Sequence, residues 1–448
     1  MEINDYSSGK ISTLNDILTK NDSIKSKRDS ILKSINENPL MFMANSLGNY
    51  HVEYSISQMV TQIDFSYLNS SYQPFTYGLT PVFVNPGFGG FIKVGLEDLL
   101  ENYRITGALK LSPTLRNNEY LISFENLKNR LDKQIIFHRQ GFENADYSSV
   151  LRQQTHEVFY ILKWPFNPVA CVRGTLNLKN EHYVFMSTDM RNLLEPNVNK
   201  NWLGVKGEFI FDNTRNKGLN LYYGTRLKLF AEYYKQLDVK KKDFTVLGID
   251  IRNYQKISKT FIWANRIAAS TSFGHQKLVY YMGGVDNWIK FNNEPPMFNT
   301  ETPIATDQNY AYQTLATNMR GFNQNIRNGN SFAVINSELR FPVFKYFFNR
   351  PLKSDLISNF QLIGYGDIGT AWTGKSPYSE NNSLFNRTIV RGPIVMRVQY
   401  QINPIVGGYG FGFRTRLLGY FLRFDWAWGV NEGYVTPRIF YFSLGLDF

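Results

Sequence analysis

The stretch "YFLRFDWAWGV", Tyr420 to Val430, decides the fold. Tyr420, Leu422, Phe424, Trp426 and Trp428 fall at every second position and are large and apolar, while Arg423, Asp425, Ala427 and Gly429 between them are charged or small. Successive side chains of an extended chain point to opposite faces, so the segment reads as a strand with one greasy face and one polar face.

The same alternation recurs outward from it. In "FIKVGLE" Ile92, Val94 and Leu96 oppose Lys93, Gly95 and Glu97, and in "WLGVKGEFIF" Leu203, Val205, Phe209 and Phe211 oppose Lys206 and Glu208. In "LYYGTRLKLFAEYY" Leu221, Tyr223, Leu227, Leu229 and Ala231 oppose Arg226, Lys228 and Glu232; in "FAVINSELRF" Ala333, Ile335, Leu339 and Phe341 oppose Asn336, Glu338 and Arg340. About sixteen segments of about ten residues follow one another from residue 50 to the end, joined alternately by tight turns such as "ENYR" and "LLGY" and by long polar loops around 285–330 and 373–402. Transmembrane β-barrels have this organisation, apolar outside and polar inside. A soluble sandwich or propeller also alternates. Three features favour the membrane barrel. Charges of both signs recur on the polar face of many strands. Aromatic residues crowd the segment ends ("FIW", "YFF", "DWAW"), where an interfacial girdle would sit. No repeat of about 40 residues with a shared signature is visible.

Composition agrees. Of 448 residues 16% are aromatic, with 28 Tyr and 35 Phe, yet the mean hydropathy is −0.32. No run approaches the roughly 18–20 apolar residues of a spanning helix. The net charge of +12 would suggest nucleic acid, but apart from "KKK" at Lys240 to Lys242 the basic residues are spread singly. A charged interior or a surface facing anionic lipid accounts for them better, and no nucleic-acid partner is expected. One cysteine, Cys171, and five scattered histidines offer no disulfide framework and no metal-ligand spacing. No cofactor is expected either. Residues 1–48 are polar and partly helical and read as an extension or linker ahead of a barrel at 49–448. They lack the apolar core of a secretory signal, as a mature or truncated chain would.

The last residues, "RIFYFSLGLDF", put Phe440, Phe442, Leu444, Leu446 and Phe448 on one face, with the sequence stopping on an aromatic. The bland expectation for a soluble domain is a polar, frayed tail. Together with "NMRGFNQNIRNGNSFAVINSELRFP" (Asn318–Pro342), "IGYGDIGTAW" (Ile363–Trp372) and "GGYGFGFRTRLLGYFLRFDWAWG" (Gly407–Gly429), this terminal strand resembles the closing third of the BamA/TamA-type outer-membrane insertase and translocator superfamily, the bacterial surface antigen family. The resemblance covers about 130 residues, with four motifs in the family's order.

That resemblance implies a 16-stranded antiparallel barrel with a sixth outer loop folded back into the lumen. The loop tip carries a (V/I)RG(F/Y) signature, matched by Met319, Arg320, Gly321 and Phe322 with Met as a mild departure, and a wall strand carries D-x-G, matched by Asp367 and Gly369. A guanidinium fork at the loop tip suits a wall carboxylate. Asp367 shares its face with Gln361 and Gly369, so it is expected to point inward; Glu338 is a second candidate partner, and Gly366 and Gly369 would leave room beside the wall.

Inside the same region "GTAWTGKS", Gly369 to Ser376, fits the phosphate-loop spacing G-x-x-x-x-G-K-[ST]. Such a loop needs a helix immediately after it, whereas "PYSENNS" predicts a turn, so no nucleotide is expected.

The implied activity involves no covalent step, and no Ser/His arrangement points to an enzyme. A weakly paired seam between the terminal strand, Arg438–Phe448, and a first strand near 50–64 or 88–98 would open and template an incoming strand. Implied partners are outer-membrane lipids, periplasmic or lipoprotein components, and unfolded barrel or secreted polypeptide clients. Most relatives place POTRA modules before the barrel, and 48 residues are too few for one. The alternative is a passive channel or an accessory barrel within a larger complex.

Overall fold

The computed structural model describes residues 22–31, 33, 52–64, 68, 72–75, 89–113, 117–145, 150–186, 193–289, 298–305, 307–348, 353–380, 382–391, 394–445 and 447. Contacts divide the chain into two units, Met1–Glu53 and Tyr54–Phe448. In the first, residues 22–31 are helical and exposed.

The second unit is built on one antiparallel sheet of 19 strands. Ladders link, in chain order, Tyr54–Asp64, Gly89–Asp98, Tyr103–Leu111, Glu119–Asn126, Asp132–Ala145, Val150–Asn167, Ala170–Phe185 and Val198–Asp212. They continue through Leu221–Gln236, Asp243–Ser258, Phe261–Gly274, Ser331–Phe341, Gln361–Trp372, Val406–Leu417, Tyr420–Asn431 and Ile439–Leu444. Each strand pairs with its predecessor because the connection between them is a turn or a loop that returns the chain alongside itself. At "LLGY" the pair Leu417–Tyr420 closes over two residues with left-handed backbone, Leu418 (φ 51) and Gly419 (φ 87), the hairpin geometry that matches strand twist.

The alternation seen in the sequence separates the two faces of the sheet. Ile122, Phe137, Leu178, Val205, Leu247, Ile267, Ile335 and Ile368 are exposed on one face, while Glu157, Lys179, Glu208, Glu232, Glu338 and Arg414 are buried on the other. Tyr409–Trp428, Phe411–Trp426, Phe413–Phe424, Trp426–Phe440 and Phe424–Phe442 form an aromatic ladder across the last three strands, with centroids 4.5–5.9 Å apart.

A long insertion between Phe261–Gly274 and Ser331–Phe341 lies against the polar face. It forms a second sheet in which Lys277–Met282 pairs with Arg327–Gly329 and, in parallel, with Tyr310–Leu315, and Gln73–Pro74 joins the edge. Leu278, Tyr280, Met282, Tyr312, Met319 and Phe322 from this insertion pack with Trp202, Phe244, Val246, Phe332 and Val334 of the main sheet. The principal apolar core therefore lies inside the polar face, between insertion and wall. Polar contacts surround that core: Tyr312 Oη donates to Glu181 (2.9 Å) and Tyr72 Oη to Glu232 (2.9 Å).

Three sequence expectations are refined. The first strand of the sheet is Tyr54–Asp64, and Gly89–Asp98 is the second. The terminal strand runs from Ile439 to Leu444, shorter than Arg438–Phe448; Leu446 and Phe448 lie outside the described residues. The region 373–402 contains a hairpin, Asn386–Arg391 with Ile394–Gln399.

Candidate functional site: the insertion tip and the wall

Arg320 stands at the tip of the insertion and is 1% exposed. Its Nε and Nη2 donate to the two carboxylate oxygens of Asp367, both at 2.7 Å, and its backbone N–H donates to Asp367 Oδ2 at 3.1 Å. Nη1 donates to Glu338 Oε1 at 2.5 Å. The guanidinium lies over the Tyr365 ring, 3.6 Å from its centroid. One planar fork thus engages two carboxylates and a π face, a set of contacts that an ammonium could not make.

The alternation of two neighbouring strands places those acceptors. On Gln361–Trp372 the residues Gln361, Ile363, Tyr365, Asp367 and Gly369 are buried, and Leu362, Gly364, Gly366 and Ile368 are exposed. On Ser331–Phe341 the inward set includes Asn336, Glu338 and Arg340. Asn336 sits directly across from Asp367 in the ladder, and its Nδ2 donates both to Asp367 Oδ1 and to the Asn318 carbonyl, 2.8 Å each. Glu338 also accepts from Arg340 Nε (2.9 Å), and Arg414, which donates to Asp425 (2.6 Å), lies 3.9 Å from it. Arg320, Arg340 and Arg414 each have a carboxylate partner among Asp367, Glu338 and Asp425, as burial demands.

Gly321 has φ +95, and a Cβ there would meet Gly429 N at 2.5 Å. Its N–H donates to Tyr441 Oη (3.0 Å), which donates on to the Phe322 carbonyl (2.7 Å). Met319 is fully buried and its N–H donates to the Gly284 carbonyl (3.0 Å); Phe322 packs against Gly429. The four motif residues, Asp367 and Glu338 are therefore brought to one place.

The glycines that let the loop approach differ from the expected pair. Gly366 is exposed on the far face, and Gly369 faces Val334 and Met282 instead of the tip. The close approach is at Gly408, where a Cβ would lie 2.0 Å from the Arg320 carbonyl oxygen, and at Gly429, where it would lie 2.5 Å from the Phe322 ring. Gly408 is one of four glycines on Val406–Leu417 and Gly429 the single glycine of Tyr420–Asn431, and alternation alone does not tell which glycine faces a loop.

Tyr441 was also missed. It falls between Phe440 and Phe442 on the inward face, and its hydroxyl ties the terminal strand to the tip. The tail is anchored too: Asp447 accepts from Arg252 (2.8 Å), Arg340 (3.0 Å) and Tyr254.

After Trp372, residues Thr373 to Ser376 are bends and the described residues that follow begin with turns, so no helix N-terminus faces the "GTAWTGKS" segment.

No known family profile matches the chain, and no curated protein matches it. Among solved structures, BamA from Haemophilus ducreyi lacking POTRA domains 1–3 superposes with a TM-score of 0.50 at 10% identity, over 88% of this chain and 75% of that one. The fold of this chain is similar to that of BamA. CdiB from Escherichia coli aligns with a TM-score of 0.44 at 11% identity, over 90% of this chain and 69% of CdiB. The siderophore receptor PirA from Pseudomonas aeruginosa aligns with a TM-score of 0.33 at 10% identity, over 77% and 56%. In this fold the pinned insertion spans between strands that are neighbours in the ladder, so its tip can cross the polar face without breaking their pairing.

Proposed function

We propose that the chain is an outer-membrane β-barrel of the insertase and translocator type, which assists insertion of barrel proteins or passage of polypeptide or lipid through a seam that opens laterally. The observation that carries this reading is how the first and terminal strands are paired. Among the described residues the residue-by-residue ladder of the first strand, Tyr54–Asp64, is with Gly89–Asp98, and no such ladder joins it to the terminal strand. An unpaired strand edge is a template for another strand.

Supporting features are consistent with it. Leaving aside the short side pairings at Arg215–Gly218, Trp288–Ile289 and Tyr434–Val435, the ladder runs through sixteen of the 19 strands, an even number as expected of a bacterial barrel. An exposed apolar face backed by a buried charged face suits lipid outside and an aqueous lumen inside. The insertion occupies that lumen as the sixth loop, held by Arg320 on Asp367 and Glu338. A passive channel would leave the lumen open; here the insertion lies against the polar face, and a cavity of about 370 Å³ among the described residues is lined by paired charges such as Lys206, Glu208 and Glu232.

The test is reconstitution of the purified chain into liposomes of outer-membrane composition, followed by the folding rate of an urea-unfolded eight-stranded barrel. Acceleration over empty liposomes, lost when the seam is locked by an engineered disulfide, supports the reading. Equal rates with and without the lock, in protein that migrates as a compact barrel on unboiled gels, would overturn it.

A further inference from the structure

The seam edge of the terminal strand is already occupied. Trp288 and Ile289 of the insertion pair antiparallel with Ser443 and Phe442, on the edge opposite the one used by Tyr420–Asn431. Asn287, with left-handed backbone (φ 53), donates its Nδ2 to the Leu444 carbonyl at 3.1 Å. Trp288 is buried and meets the Tyr441 ring edge-on at 4.8 Å. Three consecutive residues of the terminal strand, 442 to 444, are therefore engaged by one tripeptide.

The tripeptide follows the alternation of the wall. Ile289 is across from Phe442, whose ring belongs to the outer aromatic ladder, and Trp288 is across from inward-facing Ser443. Directly opposed residues of an antiparallel pair share a face. The segment thus behaves as a fragment of strand set into the wall, two residues long, on a loop whose own tip is fixed to the same strand through Tyr441.

We propose that Asn287–Ile289 is a cap, contributed by the chain itself, on the seam edge of the terminal strand. It excludes any other strand from Phe442–Leu444 until it leaves, whether that strand is Tyr54–Asp64 of this chain or an extended polypeptide client. This inference rests on the seam reading above and adds that the seam is guarded on one side only. The first strand has no comparable cover: among the described residues it pairs only with Gly89–Asp98, and Tyr54 to Met59 are exposed on both faces. A two-residue ladder supplies few hydrogen bonds, each of modest net worth, so a longer strand can displace it.

Cysteine pairs in a Cys171→Ser background, oxidised in outer membranes and read on non-reducing gels, test this. Ile289→Cys with Phe442→Cys reports the cap. Single cysteines along Tyr54–Asp64, each with Phe442→Cys, report direct closure of the seam, and Phe424→Cys with Phe442→Cys is the wall control, because those residues are ladder partners. The cap predicts a strong 289–442 product and weak first-strand products, and Trp288→Ala should raise the latter about tenfold. Strong first-strand products without a 289–442 product would overturn the cap and leave the seam reading standing. A control product alone would also overturn the cap. Absence of the control product would overturn both the cap and the barrel reading.

Discussion

Arg320 shows what one residue can organise when its fork is fully used. It holds two carboxylates from adjacent strands while its own backbone N–H adds a third contact to Asp367. Removing one member of a buried pair leaves an uncompensated charge and costs about 3–5 kcal/mol, whereas removing both members costs far less than the sum. Arg320→Ala and Asp367→Ala should each lower the temperature at which the compact unboiled gel band is lost, and the double change should add little. Additive losses would mean that the two side chains do not work as a pair. Arg320→Lys should behave closer to Ala than to Arg, because a point charge cannot span both acceptors. The glycine contacts allow a second comparison at this scale. Gly408→Ala must push the Arg320 carbonyl away, since its Cβ would lie 2.0 Å from that oxygen, while Gly364→Ala enters open space on the other face. The first should loosen the insertion, read as faster cleavage of residues 275–330 by added protease; the second should stay within about 0.5 kcal/mol of the parent.

At the scale of the element, the strands are defined by which solvent each face meets. Ile267 and Ile335 are ladder partners on the exposed face, 46% and 48% exposed. If that face meets lipid near the bilayer middle, Ile335→Arg should cost about 2–4 kcal/mol and reduce the folded fraction recovered from outer membranes. The same change on a water-exposed sheet would fall within about 0.5 kcal/mol. A stability unchanged by Ile335→Arg would therefore remove the membrane assignment of this face. The terminal strand is the element with the most varied restraints: aromatic contacts outside, the Tyr441 hydroxyl inside and the Asn287–Ile289 segment on its edge. Among the described residues the first strand has one ladder. On the proposed seam, opening is expected from this less restrained strand.

For the whole molecule, the insertion and the tail connect strands far apart in the ladder. Tyr312 reaches Glu181, Gly321 reaches Tyr441 of the terminal strand, and Asp447 reaches Arg252 and Arg340. These ties lie inside the polar face, so the wall is braced from within. In planar bilayers the unaltered chain should conduct poorly, and Arg320→Ala should show larger and more frequent openings as the insertion leaves its anchor. A large, steady conductance from the unaltered chain would favour the passive-channel alternative. Asp447→Ala removes one carboxylate shared by the buried Arg340 and the half-buried Arg252 and should destabilise by about 1–3 kcal/mol, read as a lower midpoint of thermal unfolding in detergent.

Much of this was legible in the sequence, because a strand's side chains repeat with period two whatever surrounds them. "YFLRFDWAWGV" and its counterparts determined the faces, and the face of Asp367 followed from Gln361 and Gly369 at even spacing. The pairing of Arg320 with Asp367 was implied by the resemblance of their two motifs to the family, and the complementary geometry of guanidinium and carboxylate gives it a physical reason. Other features depend on contacts between residues distant in the chain, which no local period encodes. Only the tertiary structure decided that Gly408 and Gly429, not Gly366, receive the loop, since any inward glycine would serve until a backbone passes beside it. It also decided that Trp288–Ile289 takes the free edge of the terminal strand, because an edge is filled by whichever segment the rest of the fold brings within hydrogen-bonding reach.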